Sequence, residues 1–317
     1  MRHILFINHL ETLQIKKDSS LMMALTLKEL GKEVFLLFED DFYFTNKGSI
    51  EFRVFDFEGS FKKNSFYLES FKKTKDRKIA LNSSDILHMR IDPPFDKRYL
   101  SYCWMLIALE KFGIKIINDP KGIITHNEKL CAYQTETAMP SYVGKNPTAF
   151  LDFVAQLKGQ GHKDIILKPL ELYQGIGVEK ISIYQDDLLE KFNLKIKEYL
   201  GPVVAQPFGK EVANGEIRSI YFKGKELGSI LKVPPKGQFL ANIAQGATFS
   251  LIELTSTQKS ECQKICEDLV PVGIDFIAFD ILGEAVQEVN LTCPGLLVEV
   301  SEAKGVNLAK LIIQSLS

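Results

Sequence analysis

The sequence has few of the features that mark secreted, membrane-spanning or nucleic-acid-binding proteins. Its 317 residues include 5 cysteines and 1 tryptophan, and 39 basic residues are offset by 40 acidic ones. The cysteines form no CxxC pair and no metal-ligand spacing with the 5 histidines, which fits a reducing compartment. A formal net charge of −1 provides no global field that would attract nucleic acid or an acidic membrane.

Long apolar runs are also missing. The opening residues, MRHILFINHL, hold an apolar run too brief for a signal peptide, and no stretch approaches the roughly 18 apolar residues of a membrane span. We therefore expect a cytoplasmic protein. The basic segment 71-FKKTKDRK-78 has no aromatic residues interleaved over a longer run, so we interpret it as a solvated loop.

The composition is that of an ordinary globular protein, with 45% hydrophobic and 25% charged residues. The chain is long enough for two or three subdomains with substantial cores. In its first part, strand patterns occur at 3–8, 33–40, 51–59, 85–92 and 114–119, and helical patterns at 21–30 and 97–113. This alternation predicts an α/β unit, a parallel sheet with helices on its faces, that ends near residue 122.

Two further units are predicted after residue 122. The second has helical patterns at 127–134, 149–158 and 187–200 and strand patterns at 164–170, 180–184 and 203–208. The third has a hairpin at 217–233, a helix around 256–270, a pair of strands over 274–291 and a last helix near 307–316. We expect neither internal repeats nor low-complexity segments to shape the fold.

The stretch 278-AFDILGEAVQEVNLT-292 combines hard oxygen donors with strand-forming residues. If residues 283–285 form the loop of a hairpin, Asp280 lies opposite Glu288. Side chains alternate along a strand, so Asn290 shares the face of Glu288. Two carboxylates and an amide suit Mg²⁺. Taken alone, however, the stretch is better explained by a sheet with one polar face.

Four cationic residues elsewhere in the chain favour the metal site. Lys168 ends a strand pattern just before the glycine-containing turn 171-ELYQGIGVEK-180, where a lysine can reach phosphates held by backbone N–H groups. Lys129 lies on a predicted short helix, Arg90 follows a strand pattern and Arg218 begins the later hairpin. Each residue alone is more often a surface charge, whereas their order along the chain is more specific.

In this order the motifs resemble those of prokaryotic glutathione synthetase, a member of the ATP-grasp superfamily. The resemblance covers nearly the whole chain and rests on 15-IKKDSS-20, 89-MRIDPPFD-96, 117-IND-119 with 127-NEKL-130, 165-IILKPL-170, Arg218 and 279-FDILGEAVQEVNLTCP-294. It implies an α/β ATP-grasp fold in three parts. These are a Rossmann-like pre-ATP-grasp domain over 1–122, a lid subdomain over 123–208 and a C-terminal subdomain with the metal site over 209–317.

The resemblance also implies a role for each candidate site residue. ATP would be bound by Lys129 and Lys168 at its phosphates, by backbone groups around Gln206–Phe208 at adenine and by Glu216 at ribose. Asp280, Glu288 and Asn290 would ligate Mg²⁺, with Mn²⁺ as an alternative ion. Arg218 would stabilise the phosphoryl group in transit, and Arg90 would face the acyl-accepting centre.

The chemistry implied by the resemblance is carboxylate activation. ATP phosphorylates a small-molecule carboxylate to an acylphosphate, and an amine then displaces phosphate to form an amide. Positioning and charge neutralisation supply most of the catalysis, so no Ser/His/Asp or Cys/His nucleophile is required. We expect no nucleic-acid or membrane partner, and the sequence leaves a homo-oligomer open.

Two groups of positions depart from the family pattern. The glycine-rich turn Asp-Gly-Met-Gly-Gly is here 171-ELYQG-175, in which Tyr173 and Gln174 form a remodelled lid. Lost glycines misplace phosphate donors, and Gly175 and Gly177 compensate in part. Arginines are missing within Leu240–Ala241–Asn242, within 246-GATF-249 and at Val298, and a lysine is replaced by Ile91.

The missing arginines point to a changed substrate. A buried charged contact of arginine with a carboxylate contributes roughly 1.5–3 kcal/mol, so losing three weakens binding of a doubly carboxylated peptide. Our first hypothesis is a ligase of the glutathione synthetase type with a diverged substrate. The alternatives are a nucleotide-binding pseudoenzyme or sensor, and a ligase that adds amino acids to a protein or natural product. The IKKDSS segment is either a helix N-cap with two solvated lysines or a substrate loop.

Overall fold

The protein is described here by a computed structural model that covers residues 1–47, 49–172, 175–238, 241, 243 and 246–316. Its strands form three sheets of six, four and five strands. Within the residues covered, no helix is both long and apolar enough to cross a membrane.

The first sheet is mixed, with a parallel centre. Its elements are β1 (Arg2–Ile7), α1 (Ser19–Glu29), β2 (Glu33–Phe38), β3 (Glu51–Phe61), β4 (Leu68–Ala80), β5 (Ile86–Arg90), α2 (Lys97–Glu110), β6 (Lys115–Ile117) and α3 (Pro120–Thr125). The strand order is β4-β3-β2-β1-β5-β6. Strands β2, β1, β5 and β6 pair in parallel, which confirms the predicted α/β sheet, while β3 and β4 join it antiparallel.

The basic segment 71–78 lies within β4, so the prediction of a loop was wrong. It is solvated, as expected, but it pairs with β3 along most of its length. Its charged side chains meet acids of β3, as in the ion pair of Lys72 Nζ with Glu58 Oε2 at 3.1 Å. An edge strand of an antiparallel ribbon needs few apolar residues, so its pattern does not signal a strand.

Helix α1 spans Ser19–Glu29, so it begins two residues earlier and ends one residue earlier than the predicted 21–30. The Asp18 carboxylate accepts hydrogen bonds from the backbone N–H groups of Ser20 and Leu21, both at 2.8 Å, and so caps the helix. Gly31 follows the helix with φ = +70°, in the left-handed conformation that glycine adopts without strain. The cap fixes where α1 starts, and with it the positions of the residues before it.

The second sheet is antiparallel and has a core of its own. Its elements are β7 (Tyr142–Gly144), α4 (Pro147–Gly159), β8 (Asp164–Pro169), β9 (Glu179–Ser182), α5 (Leu188–Tyr199) and β10 (Val203–Pro207), with strand order β7-β10-β8-β9. Helices α4 and α5 meet through Phe150 and Phe192, whose rings stack with centroids 4.0 Å apart. The strands predicted for this unit and its helices at 149–158 and 187–200 are confirmed, the helix predicted at 127–134 is not an α-helix, and β7 was not predicted.

The third sheet is antiparallel as well. Its elements are β11 (Glu216–Phe222), β12 (Lys225–Val233), β13 (Thr248–Ile252), α6 (Ser256–Leu269), β14 (Phe276–Leu282), β15 (Ala285–Asn290), α7 (Leu297–Lys304) and α8 (Leu308–Gln314). The strand order is β13-β12-β11-β14-β15. Strand β13 and helix α7 were not predicted.

The first and third sheets share their hydrophobic cores. Ile4 and Leu87 of the first sheet belong to the same buried cluster as Phe279 and Val289 of the third. Asn118 joins the two sheets, because its amide nitrogen donates to Phe276 O at 2.7 Å and to Leu291 O at 2.8 Å. The division at residues 122 and 208 stays a prediction.

Two buried histidines make the stability of this core depend on pH. The rings of His3 and His88 stack across β1 and β5, with Nδ1 and Nε2 3.0 Å apart. Burial lowers the pKa of His3 to about 4 and lowers that of His88 as well. The unfolded chain therefore binds protons between pH 6.5 and 4 that the folded chain does not, so the neutral ring stabilises the fold above pH 6.5 and this stabilisation is lost as pH falls.

As pH falls from 7 to 4.5, we expect the lowered pKa of His3 alone to reduce the unfolding free energy of the wild-type protein by about 2 kcal/mol. Urea denaturation at both pH values, compared between the wild type and His3→Gln, isolates this contribution from those of the carboxylates. His162→Gln is the matched control, because it removes a histidine outside the core. Equal losses in the wild type and His3→Gln would contradict the prediction.

Candidate active site

A cavity of about 570 Å³ lies between the second and third sheets. Its walls come from β8 and β10 on one side, from β11, β12, β14 and β15 on the other, and from the residues before α1 and α7. It is lined by nearly all of the predicted site residues: Arg90, Lys129, Lys168, Gly175, Gln206, Phe208, Glu216, Arg218, Asp280, Glu288 and Asn290. Gly177 is absent from the lining, and a side chain there would collide with Tyr199.

The hairpin of β14 and β15 brings the oxygen donors together. Asp280 pairs with Glu288, as predicted, but the loop holds two residues and not three, because Leu282 pairs with Ala285. A register shift after Asp280 leaves Gln287 as an extra residue in β15 and restores the predicted alignment. The apolar residues on the other face are fully buried, as expected: Phe279, Ile281, Val289 and Leu291.

Asp280 is the centre of a buried charge cluster. Arg218 donates to both of its oxygens, from Nε at 2.9 Å and from Nη2 at 2.6 Å, and Lys232 Nζ donates at 3.0 Å. The Asn290 amide nitrogen donates at 3.0 Å. Burial by itself raises the pKa of Asp280, but Arg218 and Lys232 outweigh it and hold that pKa well below the usual range.

Lys232 belongs to this cluster although the sequence did not single it out. Its Nζ also donates to Glu216 Oε2 at 2.8 Å, across the pair that Glu216 and Lys232 form between β11 and β12. Burial raises the pKa of Glu216, and Asp280 adds to that effect while Lys232 opposes it. Counting outwards from the two-residue turn at Lys223–Gly224 would pair Glu216 with Leu231. A register shift between Ile220 and Tyr221 brings Lys232 opposite Glu216 instead, so no local signal in the sequence identified Lys232.

The two predicted phosphate lysines differ in their partners. Lys129 Nζ donates to Glu288 Oε1 at 2.8 Å and to Leu172 O at 2.7 Å. Lys168 Nζ lies 5.7 Å from the ring centroid of Tyr133, and within the described residues it has no hydrogen-bond acceptor. Burial lowers the pKa of Lys168 to about 8, and Lys129 adds to that effect while Glu288 opposes it. Lys168 is therefore a cation with room for an anionic partner.

Glu128 positions Lys129, although no role beyond the NEKL motif was predicted for it. Its Oε1 accepts from the backbone N–H groups of Leu291 and Thr292 at 2.9 and 3.0 Å and from Thr292 Oγ1 at 2.8 Å. These bonds tie the NEKL segment to the end of β15, which carries Glu288. The helix predicted at 127–134 is a short 3-10 turn, over Leu130–Gln134.

The expected adenine contacts lie at the end of β10. Gln206 is buried, and its side-chain nitrogen donates to Ser141 Oγ at 2.8 Å. The Phe208 backbone N–H donates to Asp164 O at 2.9 Å, and Lys180 Nζ lies 3.9 Å from the Phe208 ring centroid. The Phe208 N–H is thus committed within the protein. Tyr173, Gln174, Leu240 and Asn242 lie outside the described residues.

Arg90 holds two walls of the cavity together. Its Nε donates to Ser20 Oγ at 3.0 Å and its Nη2 to Pro294 O at 2.8 Å, while the guanidinium lies 5.1 Å from the ring centroid of Phe276. Cys293 also lines the cavity, and its Sγ lies 3.5 Å from Arg90 O. All five cysteines are free thiols.

The IKKDSS segment caps α1 and borders the cavity, while its role as a substrate loop stays a prediction. Asp18 caps α1, as the first alternative predicts, and burial raises its pKa to about 6. Lys17, Asp18, Ser19 and Ser20 also line the cavity, where a substrate loop would lie. One segment therefore both starts the helix and forms part of the cavity wall.

The residues present fit a divalent metal ion and a phosphate chain. Among the residues that the structure describes, no three His, Cys, Asp or Glu side chains are grouped to hold a metal. The predicted set has two carboxylates, Asp280 and Glu288, paired across the hairpin, and the amide of Asn290. Oxygen donors of this kind suit a hard divalent cation. Lys129 and Lys168 beside them suit phosphate oxygens.

Solved structures establish the class of this fold. D-cycloserine synthetase DcsG is similar with a TM-score of 0.66 and 12% identity, over 99% of this chain and all of that one. The ATP-grasp ligase PsnB is similar with a TM-score of 0.62 and 15% identity, over 99% and 98% of the two chains. The fold is an ATP-grasp fold, and with its site it defines an enzyme that uses ATP and a divalent metal to join a carboxylate to an amine.

The chain belongs to the prokaryotic glutathione synthetase family. The family's N-terminal domain matches residues 1–123, and its ATP-grasp domain matches residues 128–305. Glutathione synthetase of Nitrosomonas europaea is 29% identical over 75% of this chain and 73% of its own length. That of Wigglesworthia glossinidia brevipalpis is 26% identical over 97% and 94% of the two chains. The resemblance stated from the motifs is thereby confirmed.

Proposed function

We propose that this ligase activates an acid as its acylphosphate in an ATP- and Mg²⁺-dependent step, and that its substrates are not γ-glutamylcysteine and glycine. The observation that carries the proposal is the buried charge cluster, in which Lys129, Arg218 and Lys232 surround Asp280 and Glu288. Lys168 lies beside it and has no ion-pair partner among the residues that the structure describes. Such a site neutralises a polyanion and a metal together.

The cations supply the phosphate side of the site. Lys168 has no acceptor among the described residues, and Lys129 and Lys232 are paired with carboxylates that border the cavity. Phosphate oxygens can replace those carboxylates as partners, because both are anionic acceptors of similar geometry. Glu216, at the start of β11, is proposed to contact the ribose, and the end of β10 to contact the base.

The carboxylates supply the metal side. Asp280, Glu288 and Asn290 are proposed to hold Mg²⁺, or Mn²⁺, through oxygen atoms. A bound metal ion supplies charge neutralisation at the phosphoryl group. Arg218 points two N–H groups at Asp280 and is placed to stabilise the group in transfer. Arg90, fixed by Ser20 and Pro294, is proposed to orient the acyl-accepting centre.

The residues found where this chain departs from the family pattern support a changed substrate. Val298 and Ile91 are fully buried in hydrophobic cores, where neither can present a charge to a ligand. Thr248 is exposed at the start of β13 and carries no charge either. A substrate with two carboxylates would therefore find fewer cationic partners than the family pattern provides. The acid can be a small molecule or the end of a peptide.

A phosphate-release assay over a panel of acids and amines tests this function. Release is expected only when ATP, Mg²⁺, one acid and one amine are all present, because the amine must displace phosphate from the acylphosphate. Omitting each component in turn is the control. Binding of ATP with no release for any acid and amine pair would favour a nucleotide sensor over a ligase.

The lowered pKa of Lys168 predicts that nucleotide affinity falls at high pH. Its pKa is about 8 in the free protein, and the charged form binds phosphate. Above pH 8 the lysine must gain a proton on binding, so the Kd for ADP is expected to rise about tenfold per pH unit between pH 8.5 and 9.5.

Calorimetric titrations of ADP at pH 7.0, 8.5 and 9.5 measure this effect. Lys168→Met should bind ADP weakly at all three pH values, since it has no proton to gain. Lys158→Met removes a lysine of α4 that does not line the cavity, and it should keep the wild-type profile. A wild-type Kd that is constant from pH 7.0 to 9.5 would contradict the prediction.

A further inference from the structure

Glu299 is a buried carboxylate that the proposed chemistry does not use. It lies in the first turn of α7 with 0% of its surface exposed, and it lines the cavity. Neither Oε1 nor Oε2 has a hydrogen-bond partner within the described part of the chain. Buried carboxylates are normally hydrogen-bonded or paired, so an unpartnered one on a cavity wall needs an explanation.

Several polar groups on the wall around Glu299 are hydrogen-bonded to one another. Helices α1 and α7 start side by side, and the backbone N–H of Leu297 donates to Ser19 Oγ at 3.1 Å. Ser20 and Pro294 are joined through Arg90. Of the carboxylates on this wall, Asp18 is held by two backbone N–H groups, whereas Glu299 is not. Glu299 therefore differs from Asp18, because its oxygens accept no hydrogen bond within the described part of the chain.

Positive charges near Glu299 offset part of the effect of burial on its pKa. Burial raises its pKa, and Asp18 adds to that effect, but Lys17, Arg218 and the N–H of its own residue oppose it. The last interaction lacks hydrogen-bond geometry. The positive end of α7 also favours an anion at this position. An ionised carboxylate has only acceptor oxygens, so its missing partner must be a hydrogen-bond donor.

A role in capping α7 does not account for Glu299. The N-cap residue of α7 is Leu296, which has φ = +66° and makes no side-chain cap hydrogen bond. A capping glutamate at this third helical position would accept from the backbone N–H of the N-cap residue, Leu296. Glu299 makes no such bond, while its carboxylate borders the cavity that holds the other charged groups.

From these observations we propose that Glu299 is a substrate-recognition residue that accepts a hydrogen bond from a nitrogen donor, an ammonium or amine group, of a ligand in this cavity. The inference rests on the proposed function, since it assumes that the acid or the amine of the ligase reaction occupies the space between α1 and α7. It assigns the substrate class as one that bears a nitrogen donor, read by a carboxylate. Glu299 positions this group and takes no part in phosphoryl transfer.

Calorimetry with matched probes tests the proposal in the presence of ADP and Mg²⁺. One set is L-alanine, L-lactate and propionate, which share a carboxylate, and the other is ethanolamine and ethylene glycol, which have none. In at least one set, the wild-type protein is expected to bind the compound with an amino group, L-alanine or ethanolamine, about tenfold or more tightly than the compounds without one. Glu299→Gln should reduce that preference to about threefold or less.

Two controls separate the possible results. Glu302→Gln removes a carboxylate of the same helix that bonds Ser65 and Phe66 outside the cavity, and it should leave the preference unchanged. The Kd for ADP should be the same in the wild type and both variants, because Glu299 is proposed to bind no part of the nucleotide. A Glu299→Gln protein as stable as the wild type would further exclude a purely structural role.

The outcomes are distinguishable. A wild-type protein that binds ADP but shows no preference for either amine overturns the inference and leaves the proposed function intact, and this arm requires no variant. An equal preference in the wild type and Glu299→Gln overturns it as well. Failure of the wild type to bind ADP would overturn the proposed function itself.

Discussion

Glu288→Gln is expected to lower phosphate release by about 10³-fold or more. Glu288 pairs with Asp280 across the hairpin and is one of only two carboxylates in the proposed metal set. Glutamine keeps the size of the side chain but removes the charge that balances a divalent ion. The fold should tolerate the change, since Lys129 keeps its bond to Leu172 O. The measurement is steady-state phosphate release at saturating ATP and metal.

Glu284→Gln is the matched control for this experiment. Glu284 lies in the two-residue turn of the same hairpin, is exposed and bonds Thr255 Oγ1 away from the cavity. It should retain wild-type turnover. Full activity in Glu288→Gln would refute the assignment of this hairpin as the metal site, whereas loss in both variants would show that the hairpin is merely easy to disrupt.

Asp280→Asn is expected to destabilise the protein by about 3 kcal/mol, apart from its effect on turnover. Asp280 is the acceptor for both Arg218 and Lys232, and it is 5% exposed. Removing its charge leaves Arg218 without its ion-pair partner and leaves Lys232 with Glu216 as its one remaining anion among the described residues. Urea denaturation at pH 7 measures the loss, since the depressed pKa of Asp280 keeps it ionised there.

Asp275→Asn is the control for this prediction, because the folded protein disfavours the charge of Asp275 and favours that of Asp280. Asp275 precedes β14, and burial raises its pKa, so its charge is unfavourable in the folded state. Its neutralisation should leave stability unchanged or raise it slightly. Equal destabilisation by Asp275→Asn and Asp280→Asn would contradict the account of the cluster, because it would show that the charge network has no special role.

Sequence patterns predicted the hairpin that carries the proposed metal set, but not all of its details. Alternation of polar and apolar residues placed Asp280, Glu288 and Asn290 on one face correctly. The loop was assumed to be one residue too long, and the extra residue proved to be Gln287 within the strand. A bulge leaves the periodicity on both sides intact, so local patterns do not reveal where it lies.

Other parts of the site depend on contacts between distant segments. Glu128 supports the segment of Lys129 through residues more than 160 positions away, as in its bond to Leu291 N. Glu299 was not singled out from the sequence, because no local pattern shows that a carboxylate lacks a partner. Strand β4 was missed for a different reason, since its side chains are almost all exposed and charged.

The ATP side of the site was easier to predict than the substrate side. Lysines, carboxylates and glycine turns that serve phosphates and metals occur at fixed spacings, and they carried the resemblance to the family. The cavity wall proposed to contact the substrate is assembled from the starts of α1 and α7 and from single side chains of several strands. Three lost arginines indicated that this side had changed, but they did not show which group took their place.

The central claim is that the enzyme is an acylphosphate-forming ligase with a diverged substrate. The most direct measurement compares amide formation and phosphate release for γ-glutamylcysteine plus glycine with a panel of other acids and amines. We predict stoichiometric release of ADP and phosphate with an amide product for a pair in the panel, and little or none for γ-glutamylcysteine plus glycine. Efficient turnover of γ-glutamylcysteine plus glycine would contradict the claim.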